Sequence, residues 1–140
     1  MKEEQVTELI LYRLGQAKET LREGDVLAQE GLWHGVVNRA YYAMFYATLA
    51  LTVYRSQSIS KHTGVISFFD KEFVLTGVFP REYSRMLHLA FERRQNNDYG
   101  EFMLVDEGEA IKALSEAKAF VEIVSKYLES VTGQVEGLSE

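Results

Sequence analysis

The sequence predicts an all-α fold, a five-helix up-and-down antiparallel bundle, on three observations. Apolar residues recur at steps of three, four or seven along five separate stretches, the spacing of one face of a helix. No segment alternates apolar and polar residues with period two between turn residues, so strands are not expected. A single proline in 140 residues and short connections favour long helices packed against their sequential neighbours. The expected domain covers residues 5–129, and residues 130–140 read as a disordered tail.

Taken in order, the first helix is predicted over residues 4–30, where Val6, Ile10, Leu14, Ala17, Leu21 and Ala28 share a face. The second, over residues 33–53, is apolar on two sides. Val37, Tyr41, Met44, Thr48 and Leu51 form one stripe, and Tyr42, Tyr46, Leu49 and Val53 form another. Such a helix is either the centre of the bundle or meets a second copy of the chain. After the polar break SQSIS, a third helix is predicted over residues 61–74, with Val65, Ile66, Phe69 and Phe73 inward. Gly77 suits its end and Pro80 the entry to the fourth helix, predicted over residues 81–97. NNDYGEF reads as the following loop. Asp106 and Glu109 then make an N-terminal capping pair for a last helix that buries Ile111, Leu114, Ala117, Val121, Val124 and Leu128.

Composition narrows the function. The absence of cysteine excludes a disulfide framework and thiolate metal sites, and fits a reducing cytoplasm. The start, MKEEQVTELI, is acidic where a secretory signal would be basic and then apolar. No apolar run approaches the ~20 residues that span a bilayer, so a cytoplasmic protein with no membrane partner is expected. The net charge of −6 opposes general attraction to nucleic acid. Its distribution does not, because residues 33–100 hold 8 basic against 5 acidic residues while both ends are acidic. An anion would therefore meet the middle of the chain.

Catalytic motifs are scarce. There is no Gly-rich phosphate loop, no His-Glu-x-x-His and no Glu-x-x-His pair, so neither a metal nor any cofactor is expected. His34, His62 and His88 stand apart from one another. Arg81, Arg85 and His88 form a basic stripe on the fourth helix, while Arg94 falls within the apolar arc of Tyr83, Met86, Leu87, Ala90 and Phe91. A guanidinium placed there needs a partner or a groove, because burying it alone is costly. Asp98, one turn later, is the structural partner. The functional alternative has Arg94, with Arg93, lining a cleft in which its donor fork holds phosphate and Tyr99 stacks or donates a hydrogen bond.

Three linked segments carry a resemblance to a known family. NRAYYAMFYATLAL (residues 38–51), SKHTGVISFFDKEFVLTGVFP and FERRQNNDYG strongly resemble, in order and spacing, the small stand-alone prokaryotic members of the HEPN family (higher eukaryotes and prokaryotes nucleotide-binding). The resemblance implies a five-helix bundle that dimerises, which would cover the second stripe of helix two. It also implies a minimal nucleotidyltransferase as partner in a toxin–antitoxin-like system. Members with ribonuclease activity resemble one another in an Arg followed by a His with about four to six residues between them. Here Arg93 and Arg94 are followed by Gln-Asn-Asn-Asp-Tyr-Gly, so Asp98 or Tyr99 stands where that His is expected. An ionised Asp is a poor proton donor. Arg55 with His62 and Arg81 with His88 meet the bare spacing elsewhere, and Lys61 with His62 matches a basic pair common in this branch.

The expectation is a homodimer that binds a nucleotide, RNA or a nucleotidyltransferase through Arg39, Lys61, His62, Arg93, Arg94, Asp98 and Tyr99. The alternative is a metal-independent ribonuclease toxin in which Arg94 steadies phosphate and His62 or His88 supplies the proton. A structural dimerisation subunit is the third reading.

Overall fold

A computed structural model of the chain describes residues 2–99 and 105–133. Among these residues there are five α-helices and no strands: α1 (Glu3–Gln29), α2 (Trp33–Tyr54), α3 (His62–Phe69), α4 (Arg81–Tyr99) and α5 (Glu107–Thr132). A π-helical turn, Asp70–Val74, continues α3. The five-helix, all-α architecture is the one the sequence predicts.

α2 is the hub of the bundle and packs against all four other helices. Its stripe of Val37, Tyr41, Met44, Thr48 and Leu51 is fully buried. Ala40, Ala43, Ala47 and Ala50 are buried as well, and their small side chains let neighbouring backbones come close. The second stripe, Tyr42, Tyr46, Leu49 and Val53, packs on the core but is only half-buried. Being central thus accounts for one stripe fully and for the other in part. Gly24 of α1 assists the close packing, since a Cβ there would stand 2.9 Å from Leu114 Cδ1 and 3.6 Å from Arg39 Cβ.

The residues predicted to face inward from the third helix, Val65, Ile66, Phe69 and Phe73, are all buried. An aromatic cluster fastens this segment to α5. Phe69 lies 5.1 Å from Phe120 and stacks on Phe79 at 5.7 Å, while Phe73 meets Tyr127 edge-on at 5.6 Å. Aromatic pairs at these separations add to the area they bury. Gly77 adopts a left-handed φ of 82°, and Phe79 donates its N–H to the Phe73 carbonyl at 2.8 Å, closing the turn before α4.

At the start of α5 the Asp106 carboxylate accepts from the Glu109 N–H at 2.7 Å, as the capping pair requires. Three boundaries or faces differ from the sequence expectation. α4 continues through Tyr99, so the stretch read as a loop from Asn96 onward begins as helix. α5 runs to Thr132, into the stretch read as tail. Ile111 is 46% exposed, because the buried face of α5 centres on Ala110, Ala113, Ala117 and Phe120 and Ile111 lies a 100° step from Ala110. The remainder of NNDYGEF from residue 100, and residues 134–140 of the tail, lie outside the described residues.

Candidate functional site

Where α2, α3 and α4 meet, an imidazole and a guanidinium gather around two tyrosines. Tyr41 and Tyr42 are consecutive on α2 and so point about 100° apart, Tyr41 into the core and Tyr42 to its edge. His62 opens α3 immediately after Lys61, which takes the extended N-cap conformation. Its ring stacks on Phe45 at 4.3 Å and on Tyr41 at 5.7 Å. Its Nδ1 is hydrogen-bonded to the Tyr41 hydroxyl at 2.8 Å. From α4, the Arg94 guanidinium lies 5.5 Å from the centre of the Tyr42 ring and 6.0 Å from that of Tyr41, distances at which a cation is attracted to a ring face. Phe91, one turn before Arg94, packs against Tyr41 at 5.9 Å.

The electrostatics follow from this packing. Burial, assisted by the nearby positive charge of Arg94, lowers the pKa of His62 below the ordinary histidine value, so the ring is neutral at pH 7. Burial also raises the pKa of Tyr41, and Arg94 opposes that shift. The phenol therefore keeps its proton throughout the physiological range. Chemically, the cluster brings together a positive charge, a neutral imidazole and the half-buried ring of Tyr42, over the buried rings of Tyr41 and Phe45. That set suits an anion joined to a planar group.

The other sequence candidates lie at varied distances from this centre. Arg39 also reaches Tyr42: its guanidinium lies 5.3 Å from the ring centre and is held by Asn38 Oδ1 at 2.7 and 3.0 Å and by Glu23 at 3.1 Å. Tyr42 thus contacts two guanidiniums. Lys61 is exposed beside His62. Arg93 faces elsewhere, since one helical step from Arg94 turns it towards α5. There it bonds Glu116 at 3.3 Å and approaches Glu109 at 3.7 Å, with only 12% of its side chain exposed. Arg93 is a packing ion pair in this structure, not a lining residue of the cluster. The side chains of Asp98 and Tyr99 lie outside the described residues, and with them the anticipated Arg94–Asp98 pair.

His88 is exposed and hydrogen-bonds Asp70 through Nε2 at 2.6 Å, while Ser84 donates to the other oxygen of Asp70 at 2.6 Å. This ties the π turn to α4. Among the described residues, no group of acidic residues and histidines has the arrangement of a metal site, and no helix is long and apolar enough to cross a membrane. Sequence reasoning missed Tyr41, Tyr42 and Phe45 as parts of the cluster, and Glu116 as the partner of Arg93. The available signal was the pair of adjacent tyrosines on a helix whose other inward residues are purely apolar or small.

Fold and cluster define a class: a small helical bundle that presents a cationic, ring-lined patch where its central helix meets the third and fourth. The chain belongs to the HEPN domain family, whose sequence signature matches residues 10–127. It is 34% identical over 123 residues to a UPF0332 protein of Thermotoga maritima, covering 88% of this chain and 93% of that one. Two Methanocaldococcus jannaschii proteins that carry the name "Putative toxin" are 32% and 30% identical over 115 and 113 residues. The matches cover 82% and 81% of this chain, and 85% and 77% of theirs.

Proposed function

We propose that the chain is a homodimeric RNA- and nucleotide-binding module, paired with a minimal nucleotidyltransferase as one half of a toxin–antitoxin-like system. The observation that carries the binding half of this reading is the convergence of Arg94 and His62 on the rings of Tyr41 and Tyr42. The guanidinium supplies a charge-assisted hold on a phosphate oxygen, and Tyr42 supplies an aromatic face for a base. Arg39, braced by Asn38 and Glu23, stands 5.3 Å from the Tyr42 ring centre and would meet a strand that continues past it. Dimerisation is supported by the half-buried second stripe of α2 beyond Tyr42, namely Tyr46, Leu49 and Val53. The toxin–antitoxin setting rests on family membership and on the names of the M. jannaschii relatives.

The test is a fluorescence titration of short single-stranded RNA and of ATP with the purified protein. Saturable binding is expected, weakened about tenfold by Arg94→Ala, the loss that follows from removing one hydrogen-bonded charge. A melting curve checks that the variant remains folded. No saturable signal with either ligand would remove the nucleotide reading and leave the chain as a dimerisation subunit.

A second reading, a metal-independent ribonuclease, is favoured by the imidazole standing beside a guanidinium on a patch suited to phosphate. RNA incubated with the protein in chelator distinguishes the two. The binding module leaves the strand intact, whereas cleavage that disappears in Arg94→Ala would establish the enzyme.

A further inference from the structure

The hydrogen bond between Tyr41 and His62 has a direction, and the direction determines what the imidazole offers a ligand. Tyr41 is 0% exposed, and its hydroxyl has one partner among the described residues, Nδ1 of His62 at 2.8 Å. A phenol carries a single proton. If Nδ1–H donated to the phenol oxygen, that proton would be left in the core without an acceptor, an arrangement buried polar groups avoid. The economical arrangement is the reverse, in which the hydroxyl donates to Nδ1. The imidazole then carries its own proton on Nε2, at the far edge of the ring from Tyr41. The surroundings reinforce a neutral ring. From α2 it meets Tyr41, Tyr42 and Phe45, from α4 the positive Arg94, and on α3 it follows Lys61. No described carboxylate stands against it to favour an imidazolium.

We infer that Tyr41 is a positioning residue that locks His62 as the neutral Nε2–H tautomer, so that the cluster offers an RNA phosphodiester a second N–H donor beside Arg94 and no basic lone pair. The inference rests on the proposed RNA-binding reading for its ligand, but its tautomer half stands on geometry alone. It gives a physical reason for binding without cleavage. A ring whose Nδ1 lone pair is occupied and whose Nε2 already bears a proton cannot take a proton from an attacking hydroxyl. As a neutral donor it is also far too weak an acid to protonate a leaving oxygen.

Two measurements test the two halves separately. In the first, long-range 15N–1H correlation of the histidine side chains at pH 7, assigned with His62→Gln, reports which nitrogen of His62 is protonated. Nε2–H with a bare Nδ1 is expected in the wild type, and a mixture of tautomers in Tyr41→Phe. A proton on Nδ1 in the wild type, alone or together with Nε2, overturns the inference. In the second, short single-stranded RNA is titrated into variants of His62. Gln, whose side-chain amide can replace the Nε2–H donor, is expected to bind within about threefold of wild type, and Ala about tenfold more weakly. Equal loss in both variants overturns the donor role. Failure of the wild type to bind RNA at all overturns the functional reading and leaves the tautomer to be decided by the first measurement.

Discussion

Consecutive arginines on α4 have opposite duties because a helix turns 100° per residue. Arg94 turns towards the tyrosines of α2, and Arg93 turns into the seam with α5. Arg93 and Glu116 are both close to nine-tenths buried, with side-chain exposures of 12% and 11%. Removing one member of such a pair strands the other charge in a poorly solvated site, which costs more than the pair contributes. Arg93→Met is expected to destabilise the protein by roughly 3 kcal/mol, read as a clear fall in the chemical-denaturation midpoint at unchanged m-value. Combining it with Glu116→Gln should recover part of the loss. An additive double variant would show that the two side chains do not interact. Arg94→Ala, by contrast, is expected to act mainly on the affinity for the proposed ligand.

At the scale of elements, the C-terminus of α2 carries local strain. Gln57 donates to the Thr52 carbonyl at 2.9 Å and Ser56 to that of Val53 at 3.0 Å. This closure sets Ser56 at φ 56°, where helices ordinarily place glycine. Ser56→Gly should stabilise the chain by about 0.5–1 kcal/mol by relieving the Cβ clash of the left-handed region. A melting temperature that fails to rise would mean that the serine is not strained there. The elements themselves were largely legible in the sequence. Helical periodicity depends on which residues are apolar, and the stripe from Val37 to Leu51 and the inward set of α3 are buried as the spacing implies. What was not legible depends on neighbours. The π turn arises where Leu75 donates to the Asp70 carbonyl at 2.8 Å, in a segment whose Asp70 side chain is engaged by Ser84 and His88 from α4. No local pattern announces those partners. Ile111 has the right spacing for the core but stands at the edge of the face that α5 presents. In the cluster, Arg94 was legible as a cation among apolar residues, whereas the parts played by Tyr41 and Tyr42 required knowing which helix lies opposite.

At the scale of the whole molecule, the chain is acidic at its ends and basic in the middle, so the proposed anionic ligand would be drawn to the surface formed by α2, α3 and α4. The half-buried stripe of α2 borders that surface through Tyr42. We expect a dimer at micromolar concentration by sedimentation, and a monomer with unchanged helical circular dichroism for Tyr46→Glu, which puts a charge into the stripe. A wild-type monomer would remove the dimer from the proposal. The grip of Asp70 on Ser84 and His88 has a mechanical meaning for this arrangement. It acts as a fixed rivet between two rods, one of which holds the imidazole at its far end and the other the guanidinium. Sliding of either rod would change the distance between imidazole and guanidinium, the gap in which the proposed reading places a phosphate. On the proposed binding reading, Asp70 would thereby set the width of the jaws from outside them, and wear at the rivet would be felt there.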